Sequence, residues 1–341
     1  MKKREQYLDI LRSLACVLIV LTHSVPPLYT SETSAIHASI SFICSPGSEL
    51  FLAISGALLL PVYRPTQEFL KKRFMRVFPP LLFWSCLIVV YNYFSDSVSF
   101  DQTWKSLASI PIKPVLGVYW FFYVISGLYI FAPIISKWLL NTTRKEICFF
   151  LFLWGLTLVM ASVSILFDNK FIPLNGNYYF ILNNFGGFLG FMILGSFLRN
   201  HTASRTLKQN VIIPLVILLC IFLFAVVGYK MRIVTADFFI ENLSLVTALM
   251  VYAVFMLFKD IEFNNKIVIK ILSEIALCSY GIYLIHIIIA RGIVWNLLGY
   301  TGLTEYPVIF TTTFSVTLSL IISYVVVRLI KLLPYSKYIV G

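Results

Sequence analysis

The feature that most constrains this chain is a series of long apolar runs, each bounded by basic residues. Ten runs are read, at about 8–28, 39–62, 74–95, 117–138, 147–167, 178–198, 211–229, 238–258, 271–290 and 306–330. A helix rises 1.5 Å per residue, so about 20 apolar residues cross the hydrocarbon core of a bilayer. Within that core each segment has to satisfy its own backbone polar groups, which runs of this length do as helices. The expected fold is all-α: a polytopic transmembrane helical bundle of about ten spans, forming one integral-membrane domain over residues 1–341. Composition agrees. The chain is 59% hydrophobic and 12% charged, where a soluble domain carries about 25% charged residues. Its mean hydropathy is +0.88. Disorder, a collagen, a disulfide scaffold and an ordinary cytosolic enzyme are excluded.

The net charge of +12 does not point to nucleic acid, because the basic residues sit in short patches between apolar runs. An even number of spans puts both termini on one side. Of the 27 Lys and Arg residues, 20 fall on that side and 6 on the other, with Arg12 inside the first span. The positive-inside rule therefore places the N- and C-termini in the cytoplasm. Lys2, Lys3 and Arg4 precede the first run with no small-residue cleavage site after it, so that helix is expected to stay in place. The six cysteines show no zinc-ligand spacing and read as small buried apolar residues. No metal site is indicated by four scattered histidines, and His37 and His201 fall in loops. The outer loop at about 96–116 is expected to lie on the membrane surface, and Gly186 and Gly190 have the spacing of a close helix contact.

Ionisable residues inside apolar spans are costly and are functional candidates by default. Here they are Asp9, Arg12, His23, Glu49, Glu241, Glu274 and His286. The first and ninth spans both run outward. His23 lies about 15 residues past Leu8 and His286 about 15 past Ile271, so the two should share a level in the outer half of the membrane. Glu49, entering the second span from outside, belongs at a similar depth. Asn183, Asn184, Glu241 and Asn242 fall near outer ends. Arg12 sits one turn inside the cytoplasmic surface, at three-residue spacing from Asp9, its candidate partner. Eleven residues separate Arg12 from His23; eleven steps of 100° return to within about 20° of the start, so both share one helix face about 16 Å apart. Such a face lines a cavity or a bundle interior. Arg73 and Arg76 are also three apart. Paired guanidinium groups suit phosphate, while an ordinary positive-inside patch or a contact to anionic headgroups would have the same spacing.

Several segments resemble the membrane-bound acyltransferase family 3. Arg12, ten residues and then His23 resemble that family's Arg-x10-His signature. Phe51-Leu52-Ala53-Ile54-Ser55-Gly56 is similar to its Phe-Phe-x-x-Ser-Gly stretch, with Leu52 replacing the second Phe. Arg73-Phe74-Met75-Arg76 resembles its Arg-x-x-Arg, followed by Pro79. Tyr119-Trp120-Phe121-Phe122 and Ser279-Tyr280-Gly281-Ile282-Tyr283-Leu284-Ile285-His286 resemble two further motifs, and all come in family order from residue 7 to residue 286. No esterase-like C-terminal domain is seen, as in the stand-alone members that acetylate cell-surface or lipid-linked polysaccharides in the bacterial inner membrane.

The resemblance implies a multi-pass O-acetyltransferase. It would take acetyl-CoA, as acyl donor, from the cytoplasm, and pass the acetyl group to a glycan hydroxyl at the outer face. His23, Arg12 and His286 become the candidate catalytic residues. Arg73, Arg76 and Arg12 are the candidate donor-binding residues, and Glu49, Trp120, Tyr280 and Tyr283 the candidate acceptor-binding ones. Each has a plainer alternative: a helix-bundle hydrogen bond for either histidine, a structural pair with Asp9 for Arg12, aromatic packing for the tyrosines, an interfacial belt for Trp120. The expected partners are the lipid bilayer and the glycan acceptor, without nucleic acid. A transporter or flippase for a lipid-linked glycan is the rival class; it would share the topology without needing the Arg12-to-His23 spacing.

Overall fold

The computed structural model describes residues 5–25, 39–95, 98–166, 182, 185–201, 208–230, 241–259, 264–300 and 306–341. Among these there is no β-strand. The helices in chain order are α1 (Gln6–Ser24), α2 (Gly47–Leu59), α3 (Thr66–Phe94) and the short α4 (Phe100–Ser109). Then come α5 (Trp120–Asn141), α6 (Arg144–Leu166), α7 (Leu189–Asn200) and α8 (Ile213–Lys230). The chain closes with α9 (Leu245–Lys259), α10 (Lys266–Ile289), α11 (Trp295–Tyr300) and α12 (Val308–Ile330).

Seven helical stretches among the described residues are long and apolar enough to cross a membrane, α2 being counted as the end of the stretch Ser39–Leu59. Three further expected spans correspond to α6, α7 and α9; of the outer parts expected for the last two, residues 178–181, 183–184 and 238–240 lie outside the described residues. Large apolar side chains on α8, such as Leu215, Leu219 and Phe222, are half exposed. Such an apolar exterior suits lipid, not water. The chain is a multi-pass membrane protein. Of its cysteines, Cys16, Cys44 and Cys278 are buried as expected, but Cys86, Cys148 and Cys220 are on the exterior. The sequence pattern could not separate these sites, because lipid and core are equally apolar.

Helix ends alternate as the topology requires. Arg199, in the last turn of α7, bonds to Glu5 ahead of α1 at 2.5 Å and to the carbonyl of Ala57 near the end of α2. A similar anchor forms at Lys259, the last residue of α9, whose Nζ donates to the carbonyl of Leu198 at 2.6 Å. These termini therefore meet at one end, where the basic residues were expected. Helices α1 and α10 pack side by side and run parallel: Ser13 bonds to the Leu272 carbonyl near their starts, while His23 and His286 meet near their ends.

The closest crossing is between α2 and α7. A Cβ on Gly56 would lie 1.8 Å from the Met192 carbonyl oxygen, and one on Gly195 would lie 1.8 Å from that of Ala53. The expectation for Gly190 is met differently. Its missing side chain admits the indole of Trp154 on α6. On α12, Thr312, Ser315, Ser319 and Ser323 are all buried, a stripe of small residues facing the bundle.

Two expectations about loops are sharpened. The Arg-rich stretch before the third span is helical from Thr66, because Pro65 suits the residue before a helix and no breaker follows until Pro79. The outer loop carries α4, started by a capping box between Ser99 and Gln102, with Trp104 exposed on it.

Candidate active site

Two cavities lie along the polar face of α1. The inner one, about 120 Å³, is lined by Arg12 of α1, Ser55 of α2, Arg73 and Arg76 of α3, Tyr129 of α5 and Tyr280 of α10, among others. The outer one, about 190 Å³, is lined by Thr22 and His23 of α1, Ser45 and Ser48 beside the start of α2, Trp120 of α5 and Asn242. Tyr283 borders both. The eleven-residue spacing of Arg12 and His23 thus puts one residue in each cavity.

The inner cavity is cationic. Arg12 lies 3.9 Å from Asp9, the partner expected from the spacing. Arg73 stands over the rings of Phe69 and Tyr129, 5.5 and 6.0 Å from their centroids, a cation–π arrangement that fixes its direction. Its Nε is buried without a hydrogen-bond partner among the described residues. Arg76 is more exposed. The proline pair Pro79–Pro80 removes two backbone donors one turn further on, leaving the carbonyls of Met75 and Arg76 without their helical N–H partners.

At the outer cavity the two histidine rings lie 5.4 Å apart, centre to centre, at 43°. Counting residues from the inner ends puts them at one level; packing α1 against α10 puts them in contact. His23 is partly exposed to the cavity, whereas His286 is fully buried. Nδ1 of His286 is 2.7 Å from the Tyr283 carbonyl oxygen. A carbonyl only accepts, so Nδ1 carries the proton and Nε2 keeps a bare lone pair. That Nε2 is buried and has no partner among the described residues. Glu49 is also fully buried. One of its oxygens accepts from Ser48 at 2.8 Å, and the other has no partner among the described residues.

The two tyrosines are anchored through their hydroxyls. Tyr283 donates to the Val118 carbonyl at 2.7 Å and Tyr280 to that of Val77 at 2.9 Å. Tyr119 answers from the other side, donating to the Leu284 carbonyl at 2.8 Å. Their rings border the cavities while their hydroxyls hold helices together. Trp120 borders the outer cavity, its ring 5.3 Å from that of Phe188. Asn183 and Asn184 lie outside the described residues.

Two residues were missed. Tyr129 had no signal to distinguish it among 19 tyrosines. Arg291 read as one of the outer topology charges; it stands 5.4 Å over the Trp295 ring, within electrostatic reach of both His23 and His286. Among the described residues no group of three or more His, Cys, Asp or Glu side chains could hold a metal ion.

A membrane-embedded helical bundle with a cationic cavity at one end and a histidine-bearing polar cavity at the other defines the class. The family model of an acyltransferase domain, acyltransferase 3, matches residues 5–328. The chain belongs to that family, nearly from end to end, and is a membrane acyltransferase. No curated protein and no solved structure matches it.

Proposed function

We propose that this protein is an O-acetyltransferase that takes the acetyl group of cytoplasmic acetyl-CoA and transfers it to a hydroxyl of a cell-surface or lipid-linked polysaccharide on the far side of a bacterial inner membrane. The observation that carries this reading is the pairing of two cavities on one helix face, arginine-lined at the inner end and histidine-lined at the outer, with a single residue, Tyr283, common to both.

In this reading Arg12, Arg73 and Arg76 hold the anionic donor, since guanidinium groups bind phosphoryl oxygens in pairs. The donor's slender arm carries its thioester along the α1 face toward His23, a distance of about 16 Å on the helix. An acceptor hydroxyl enters the outer cavity, where Trp120 and Ser48 face it, and the buried Glu49 acts on it through its bond from Ser48. His23 removes the hydroxyl proton as the oxygen attacks the thioester carbonyl. The new C–O bond replaces the C–S bond, and the proton passes to the departing thiolate. His286, with its Nε2 lone pair directed by the Nδ1 bond to Tyr283, positions His23 or shares its proton. Transfer through a protein nucleophile would use the same base.

The test is to incubate membranes with radiolabelled acetyl-CoA. Label should enter polysaccharide with the wild-type protein. It should be lost with His23→Ala at equal protein level and membrane insertion. Near-normal labelling by that variant would overturn the assignment, and glycan movement without label would mark a transporter instead.

A further inference from the structure

The inner cavity has a neighbour on its cytoplasmic side, of whose lining Arg73 alone is among the candidate residues. This cleft, about 250 Å³, is lined by Leu58, Leu59, Tyr63, Arg64, Lys72 and Arg73, among others. It shares Leu58, Leu59 and Arg73 with the inner cavity, so the two adjoin at the Arg73 side chain. Three of its lining residues are cations and none is acidic. Glu68 meets one nitrogen of Arg64 at 3.3 Å. That contact orients the guanidinium and occupies only one of its five N–H donors. Tyr63 is 80% exposed and presents an open aromatic face at the rim of the cleft.

Position divides the donor between the two spaces. The inner cavity reaches toward the bundle centre, where rings of Phe121, Phe122 and Tyr283 wall it. With Arg12, Arg73 and Arg76 also on its lining, it suits the stretch of donor where the phosphate chain gives way to the narrow arm. The adjoining cleft is also cationic, lies nearer the cytoplasm and offers the exposed aromatic face of Tyr63. We infer that this cleft seats the nucleotide end of the acyl donor, with Arg64 and Lys72 receiving phosphoryl oxygens and Tyr63 stacking on the base. Arg73, fixed between two rings with its Nε buried, stands at the junction where the phosphate chain passes into the arm. This rests on the coenzyme A donor proposed above and adds to it a second subsite with its own residues. The shared chemistry is a phosphoryl group, which a lipid headgroup also carries.

The experiment compares two donors in the intact protein reconstituted in vesicles: acetyl-CoA, and acetyl-pantetheine, which lacks the nucleotide and all phosphates. The variant is Arg64→Gln with Lys72→Gln. Its KM for acetyl-CoA should rise about tenfold, as expected for losing two partly exposed charge-assisted contacts, with kcat within about twofold. Its KM for acetyl-pantetheine should stay within about twofold of the wild-type value, which also shows that the variant is folded. The charge-preserving pair Arg64→Lys with Lys72→Arg should recover most of the acetyl-CoA affinity. An unchanged KM for acetyl-CoA, or an equal rise for both donors, overturns the subsite. So does a rise seen only in vesicles containing phosphatidylglycerol and equal for both donors, because that assigns the cleft to a lipid headgroup. Wild-type protein that transfers label from neither donor refutes the donor reading itself, which keeps the two failures distinct.

Discussion

Replacing Gly195 with Ala puts a methyl carbon where the Ala53 carbonyl group of the neighbouring helix now lies, 1.8 Å from its oxygen and 2.5 Å from its carbon. Ordinary contact begins at 3.4 Å, so α2 and α7 have to part by about 1.6 Å at the crossing. Neither contact can give way alone, since both atoms belong to helical backbone. A gap of that size forfeits much of the dispersion energy along the interface. Overpacking of a tight core costs about 1–3 kcal/mol, and a clash with backbone belongs at the top of that range. For a chain of this size a loss of about 3 kcal/mol should lower the melting temperature by about 5 °C or more. The control is Gly127→Ala, where an added Cβ meets nothing within 4 Å. There the change should be neutral or stabilising by up to about 1 kcal/mol, through helix propensity alone. The assay is thermal unfolding of the purified protein in one detergent. Equal melting temperatures for Gly195→Ala and Gly127→Ala would refute the reasoning, because the two differ only in what the new methyl group meets.

Three further outcomes are expected. His286→Asn keeps an amide N–H near the Nδ1 position for the Tyr283 carbonyl but has no atom at the Nε2 position, so labelled acetyl transfer should fall about a hundredfold at unchanged protein level; a rate within about threefold of wild type would make His286 a packing residue. Arg12→Lys keeps the charge but not the planar fork, and should raise KM for acetyl-CoA more than it lowers kcat; the reverse pattern would move Arg12 from donor binding to the chemical step. At the start of α6, the backbone N–H of Thr143 and the hydroxyls of Thr143 and Thr142 all donate to the Glu146 carboxylate and hold its pKa below the usual carboxylate range. The stabilisation is therefore full above the ordinary carboxylate pKa and is lost as pH falls through the lowered folded value. Glu146→Gln should flatten that acid-side dependence of the melting temperature, and an unaltered profile would show that the cap does not contribute.

The legible parts of the site were those governed by helix geometry alone. Arg12 and His23 reach different cavities along one face because 3.6 residues per turn fixes their angle whatever the surroundings. His23 and His286 share a level because each run can be counted from its basic end. Their actual contact, at 5.4 Å, depends on α1 and α10 being neighbours, which no local pattern encodes. The glycines show the limit more sharply. Gly186 and Gly190 have the spacing of a helix-contact motif, yet Gly190 receives the Trp154 ring, and the tight backbone crossing is made by Gly195 with Gly56. Spacing reports that a face is small; it does not name what lies against it. Arg64 and Arg291 were hidden for a related reason. Each counted toward the charge balance that sets topology, and a charge that orients the chain looks the same in sequence as one that faces a cavity.

The wall between the cavities joins the two halves of the site. Tyr283 forms it, and three contacts hold it in place. Its hydroxyl is bound to Val118, its ring packs 5.4 Å from Phe121 and 5.1 Å from Phe122, and its own carbonyl accepts the His286 proton. The reciprocal bond from Tyr119 to Leu284 braces the same turn of α10. A residue held from so many directions can shift only if its neighbours shift with it. Motion of the wall is therefore tied to the orientation of His286, and through the ring contact to His23. In the function proposed above, with the donor in the inner cavity and the acceptor hydroxyl in the outer one, that tie would link passage between the cavities to the placement of the base. One turn of α10 thus carries both the wall and the histidine, and its tyrosine hydroxyls are committed to the backbone carbonyls of Val77 and Val118.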